Sequence, residues 1–154
     1  MKKLFITAAI ATIFSASAFA DGAKAVKISY TVQNQFKADF SDAKDVTWSL
    51  DKNFQRVDFT VNDVKMTSFY NTQGQFVGLT QNIDYAVIPA KAKNLIAAKY
   101  KGYNVSEVIV LQSNPEVKDV DEEVAYFVDL KNADHEALVR ITHDANIELF
   151  KQVK

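Results

Sequence analysis

An internal repeat restricts the fold of this chain more than any other feature. A shift of 60 residues lays Ile28, Ser29, Val32, Phe36 and Phe40 over Ile88, Pro89, Ala92, Ile96 and Tyr100. Apolar residues four apart share one side of a helix, so each copy should open with a short amphipathic helix. Ser29 suits a helix N-cap, Pro89 suits a helix start, and Gly102 suits the left-handed residue past the second helix. The expected apolar stripes are Val32, Phe36 and Phe40 in the first copy, and Ala92, Leu95, Ile96 and Tyr100 in the second. Helices this short need a second layer to cover those stripes.

Strand patterns follow each helix. Val46, Trp48 and Leu50 alternate with polar residues, as do Val57, Phe59 and Val61, the period of half-buried strands. Asn62-Asp63 supplies a tight turn, Val64 to Asn71 returns as a third strand, and Phe76 to Thr80 makes a fourth. The second copy repeats this order near Val105 to Leu111, Val124 to Lys131, Ala137 to Thr142 and Ile147 to Gln152. The closing hairpins align at a shift of 72, Phe69 to Gly74 over Ile141 to Asn146, with Gly74 and Asn146 as the left-handed turn residues. The larger shift assigns about 12 extra residues to the second copy, placed in the polar loop Ser113 to Glu123. The expected fold class is α+β: a tandem repeat of one helix plus about four antiparallel strands, at about 28–82 and 88–152, with both helices on one face of the sheet.

The N-terminus reads as an address. Met1-Lys2-Lys3 is a short positive start, Leu4 to Phe14 is uncharged and mostly apolar, and Ala18-Phe19-Ala20 precedes Asp21. This is the pattern of a secretory signal peptide over residues 1–20, cut after Ala20, leaving a single domain at 21–154 in the periplasm or outside the cell. Leu4 to Ala20 is short for a membrane span and has no charged stop-transfer flank, so a membrane-embedded protein is not expected. Processing would leave 16 basic and 19 acidic residues, a net charge of −3 with no basic patch for nucleic acid. The absence of Cys excludes disulfides, thiolate metal sites, cysteine nucleophiles and a lipoprotein anchor. With 48% hydrophobic residues and 11 Phe, the core needs no metal staple.

Taken together, Phe36-x-x-x-Phe40-x-x-Ala43-x-x-Val46-x-Trp48, Phe69-x-Asn71-x-x-Gly74-x-Phe76, Ile88-Pro89, Tyr100-x-Gly102-Tyr103-x-Val105 and Tyr126-x-Val128-x-Leu130 resemble the PepSY-like family of exported Bacteroidetes proteins, also described as beta-lactamase-inhibitor-like. The resemblance runs from about Ile28 to Leu149 and rests on structural positions. Ser29 stands where Pro is usual in the first copy, and Asn146 replaces the second turn Gly. The resemblance implies a tandem helix-and-sheet architecture similar to beta-lactamase inhibitor protein, whose concave sheet binds an enzyme; inhibition by this chain is analogy alone.

Residues with chemistry to offer are few. His135 and His143 are the only histidines, both in predicted turns and without a third ligand spaced to join them. Asp119 to Glu123 lacks the alternating ligands and Gly of a calcium loop, so it reads as a solvated hairpin. Lys91, Lys93, Lys99 and Lys101 form the wet side of the second helix, and Trp48 belongs to the core beside Phe36 or Phe40. No catalytic residue, metal ligand or cofactor is assigned.

The strand face away from the helices draws more interest. If Val57, Thr67, Phe69, Tyr126, Val139 and Ile141 point to the helices, the opposite face carries Arg56, Met66, Tyr70, Phe127, Leu138 and Arg140. Aromatic, Met and Arg side chains are enriched at protein interfaces. The expected function is a non-enzymatic periplasmic binding or inhibitor-like module docking an envelope protein there, through Arg56, Met66, Tyr70, Phe127 and Arg140. The alternative is a small-ligand-binding or envelope-stress accessory protein using the crevice between the copies.

Overall fold

The structure is a computed structural model that describes residues 27–51, 53–117 and 124–154. The expected signal peptide, the expected cut after Ala20 and the acidic run Asp119 to Glu123 lie outside the described residues. The chain forms two compact units, residues 1–81 with 112–123, and residues 82–111 with 124–154. The first holds α1 (Tyr30–Asp39), β1 (Lys44–Leu50), β2 (Phe54–Val61), β3 (Val64–Asn71) and most of β4 (Phe76–Asn82). The second holds a 3-10 turn at Tyr85–Val87, α2 (Ala90–Lys99), most of β5 (Asn104–Ser113), β6 (Val124–Lys131), β7 (Glu136–Ile141) and β8 (Ile147–Gln152). The eight strands stand in chain order with no crossover, the α+β arrangement of one helix plus four antiparallel strands, twice.

Ten residues are too few for a stable free helix, so α1 depends on what it covers. Val32 and Phe36 are its buried residues. The Phe36 ring lies 5.4 Å from Phe40, 5.2 Å from Trp48 and 4.9 Å from Phe59, which puts Trp48 in the core as expected. Ser29 sits at the N-cap without a capping bond from its own hydroxyl. Buried Gln55 of β2 does the tying instead: its Oε1 accepts from the Ser29 N–H at 2.9 Å and its Nε2 donates to the Asn71 carbonyl at 3.2 Å. One amide thereby joins the helix start to two strands.

The second unit repeats this plan in aliphatic residues. Ile88, Ala92 and Ile96 pack with Val108, Val128, Leu130, Val139 and Ile141. Pro89 occupies the N-cap of α2, and Gly102 takes φ 81, the left-handed conformation expected of it. Three expected core positions are not core: Leu95 is exposed on α2, and Val46 and Leu50 are exposed on β1, which pairs with β2 on one side and ends the strand order.

Turn geometry corrects the repeat alignment. Asn62 and Asp63 both adopt positive φ, 50° and 64°, which matches the twist of a two-residue hairpin. In the β3–β4 turn the Asn71 N–H donates to the Gln75 carbonyl and the Gly74 N–H to the Asn71 carbonyl. In the β7–β8 turn the Thr142 N–H donates to the Asn146 carbonyl and the Ala145 N–H to the Thr142 carbonyl. Asn71 therefore corresponds to Thr142, and Gly74 (φ 85) to Ala145 (φ 56). The strand shift is 71, not 72, the insertion is 11 residues rather than 12, and the left-handed residue is Ala145 rather than Asn146. At this shift Tyr70 falls on Ile141, not Phe69 on Ile141.

Candidate docking faces of the two units

Directly paired residues of neighbouring antiparallel strands point to the same face. In the first unit Val57 pairs with Ser68 and Phe59 with Met66, and Val57, Phe59, Met66 and Tyr70 all belong to the cluster under α1. Met66 and Tyr70 are thus core-side residues, which corrects their expected placement on the far face. The cause is visible along β3, where Thr67 to Asn71 are all buried, so no alternation marks which side is which. Arg56, expected on the far face, is there: it pairs with Phe69, and Asp58 pairs with Thr67. Asp58 Oδ1 receives the Arg56 guanidinium at 2.7 Å and the Thr67 hydroxyl at 2.7 Å, which fixes the direction of the arginine. The rings of Phe54 and Phe69 lie 6.3 Å apart, edge to face.

In the second unit Tyr126, Val128 and Leu130 pair with Ile141, Val139 and Ala137, and Val128, Leu130, Val139 and Ile141 pack under α2. The far face is then Phe127 opposite Arg140, Asp129 opposite Leu138, and Lys131 opposite Glu136. Phe127, Leu138 and Arg140 stand as expected, and Phe150 adds a ring 5.1 Å from Phe127. Lys131 Nζ lies 3.0 Å from Asp129 Oδ2 and 3.3 Å from Glu136 Oε1. Burial pushes the Asp129 carboxyl above its usual range, although Lys131 and Ser106 pull it back in part. Burial also acts against the Lys131 charge, but the two carboxylates outweigh it and its pKa is raised.

Several contributors escaped the sequence reading: Phe54, Asp58, Thr67 and Phe69 in the first unit, and Asp129, Lys131, Glu136 and Phe150 in the second. A usable signal was present, since charges two apart in a strand, Arg56 with Asp58 and Asp129 with Lys131, share one face. Phe69, Phe127 and Leu138 are each 0% exposed, so the face expected to be open is buried at these positions.

Elsewhere, burial and then the Asp39 charge push the Tyr70 phenol up to about 12, with Ser68 opposing. His135 lies in the β6–β7 turn, where its backbone N–H donates to Asn132 Oδ1, and His143 is exposed with Nδ1 3.5 Å from Asp144 Oδ1. Among the described residues no three His, Cys, Asp or Glu side chains gather as a metal-holding group, and no helix is long and apolar enough to cross a membrane.

No protein-family model matches the chain, and no curated protein matches it in sequence. Solved structures do match. A DUF2874 family protein from Bacteroides uniformis superposes with a TM-score of 0.67 at 22% identity, over 82% of this chain and 91% of that one. A candidate periplasmic protein from Bacteroides eggerthii gives a TM-score of 0.67 at 18% identity, over 82% and 88%. A BLIP-like protein from Bacteroides fragilis gives a TM-score of 0.63 at 11% identity, over 84% and 89%. The chain shares the fold of these DUF2874 and BLIP-like Bacteroides proteins.

Proposed function

We propose that the protein is a non-enzymatic binding module of the cell envelope that docks a protein partner through the strand faces turned away from its helices. The observation that carries this reading is a surplus of interface-type side chains on those faces. Phe54, Phe69 and Arg56 in the first unit, and Phe127, Leu138, Arg140 and Phe150 in the second, belong to neither helix-side core. Large rings beside arginines, Arg56 being held in place by the Asp58 carboxylate, are the composition of binding hot spots. The periplasmic description of one fold-mate and the BLIP-like description of another support the same compartment and mode. The form that would bind is the exported chain, expected to begin at Asp21.

The test is capture from an envelope fraction by the exported protein, beside an Arg56→Glu/Arg140→Glu variant. One stoichiometric protein should be retained by the natural sequence and lost by the variant, whose circular dichroism should remain that of the folded protein. Equal capture by both would move the interface away from these faces.

A further inference from the structure

We propose a second, separate binding site in the first unit: a cleft that takes a short, neutral, hydroxyl-rich ligand, a glycan segment. The cleft measures about 860 Å³, within the range of small-molecule sites, and is walled by α1, the β3–β4 turn and the start of the β5–β6 loop. That loop holds the 11-residue insertion that separates the two copies, so the feature that breaks the repeat supplies the third wall. Insertions on a rigid scaffold are a common seat of function.

Its frame is locked by two asparagines. Asn71 Oδ1 accepts from the backbone N–H groups of Gln73 and Gln75, and its Nδ2 donates to Gln75 Oε1. Asn114 Nδ2 donates to the Phe76 carbonyl at 2.9 Å, and its Oδ1 accepts from the Glu116 N–H at 3.0 Å. On that frame the cleft is lined by Thr31, Gln35, Gln73 and Glu116 and by half-buried Phe76, whose ring also packs 5.8 Å from Tyr70 in the core. None of these four polar side chains makes a hydrogen bond to another described residue. Hydroxyls and amides that both donate and accept suit vicinal sugar hydroxyls, a carboxylate accepts from them, and an aromatic ring offers a stacking surface. Among the described residues no cation lines the cleft, and the Glu116 carboxylate disfavours an anionic ligand there.

The second unit shows what this position does when it is not a site. Thr31 and Gln35 correspond to Lys91 and Leu95 at the helix shift of 60. Lys91 Nζ donates to the Asp144 carbonyl at 2.9 Å, strapping the helix to the matching turn. The first unit has amides and a hydroxyl where the second has a strap.

The site stands or falls independently of the sheet-face reading. Nitrogen-15 spectra of the protein expressed from its full reading frame, titrated with tri-N-acetylchitotriose and maltotriose, should shift the side-chain amides of Gln35, Gln73 and Gln75. A Gln35→Ala/Gln73→Ala variant should weaken that binding at least tenfold with an unchanged backbone spectrum. Acetyl-trialanine-amide serves as the peptide arm. No shift with either sugar at millimolar concentration, or shifts with the peptide alone, would overturn the proposal.

Discussion

The two units build one plan from different side chains. Under α1 the core is a ring cluster, Phe36, Phe40, Trp48, Phe59, Tyr70 and Phe76, locked at the helix start by buried Gln55. Under α2 the buried core is aliphatic, with Ile96 where Phe36 stands and Ile141 where Tyr70 stands. Rings add edge-to-face contacts worth about 0.5–1.5 kcal/mol per pair beyond their buried area. They also bring hydroxyls into the core, and the Tyr70 and Ser68 oxygens are buried without a geometrically sound hydrogen bond. The aromatic unit therefore depends more on a few large side chains, and it holds the one phenol whose pKa is pushed as far as about 12.

The largest effect should come from the ring at the centre of the first cluster. Phe36→Ala should cost about 3–5 kcal/mol, and Ile96→Ala, its counterpart, about 2–5 kcal/mol. Thermal melts at more than one protein concentration would check the pair, since association could mask a loss. A larger loss for Ile96→Ala would break the comparison.

Alkaline pH should separate the units next. A phenol whose pKa is higher in the folded state adds stability that is fully present below its unfolded value of 10.0 and is lost as pH rises toward about 12. For Tyr70 that loss amounts to roughly 3 kcal/mol across the window. Denaturant titrations between these limits should show the decline, and Tyr70→Phe should flatten it. The shifted Tyr85 and Tyr100 phenols of the second unit act in the same direction and would remain in that variant.

The matched left-handed turns give a smaller, opposite-signed pair. A Cβ on Gly74 would meet Val32 Cγ2 at 3.3 Å and sit at φ 85, so Gly74→Ala should destabilise by about 1–2 kcal/mol. Ala145 already carries that strain at φ 56, so Ala145→Gly should stabilise by up to about 1 kcal/mol. Unfolding curves of the two variants moving the same way would undo the 71-residue correspondence.

These turns also show what could be read from the amino acids and what could not. Helix starts, the 60-residue shift and the strand order were legible because Val32, Phe36, Ala92 and Ile96 recur at helical spacing between polar residues. The direction of β3 was not. Ala145 takes a conformation that favours Gly or Asn, so Asn146 looks like the partner of Gly74, and that slip of one residue turns Phe69 inward and Tyr70 outward. Burial of Thr67 through Asn71 then removed the alternation that would have exposed the error. Of the far-face residues, Arg56, Phe127, Leu138 and Arg140 survived because charged residues two apart mark their side, Asp58 on β2, Asp129 and Lys131 on β6 and Arg140 on β7, although Phe127 to Leu130 and Ala137 to Val139 are buried as continuously as the end of β3.

The mildest contrast concerns acid. With its pKa raised in the fold, Asp129 contributes stability that is present below its ordinary value of 3.8 and is lost as pH rises through the folded value. Asp129→Asn should remove that component from the pH dependence of unfolding. No change in the profile would mean that Lys131 already holds the carboxylate at its ordinary value.

The division of each unit into a core side and a docking side can be measured directly because the chain contains no Cys, so every introduced thiol is unique. Maleimide labelling of single-cysteine variants would compare Asp58→Cys and Lys131→Cys, at far-face side chains 36% and 41% exposed, with Ser68→Cys and Val139→Cys, both buried. The first two should react quickly in the folded protein, while the second two, turned toward the helices, should react only on unfolding. Equal protection of all four would contradict a docking face, and fast reaction at Ser68 with protection at Asp58 would reverse the two sides.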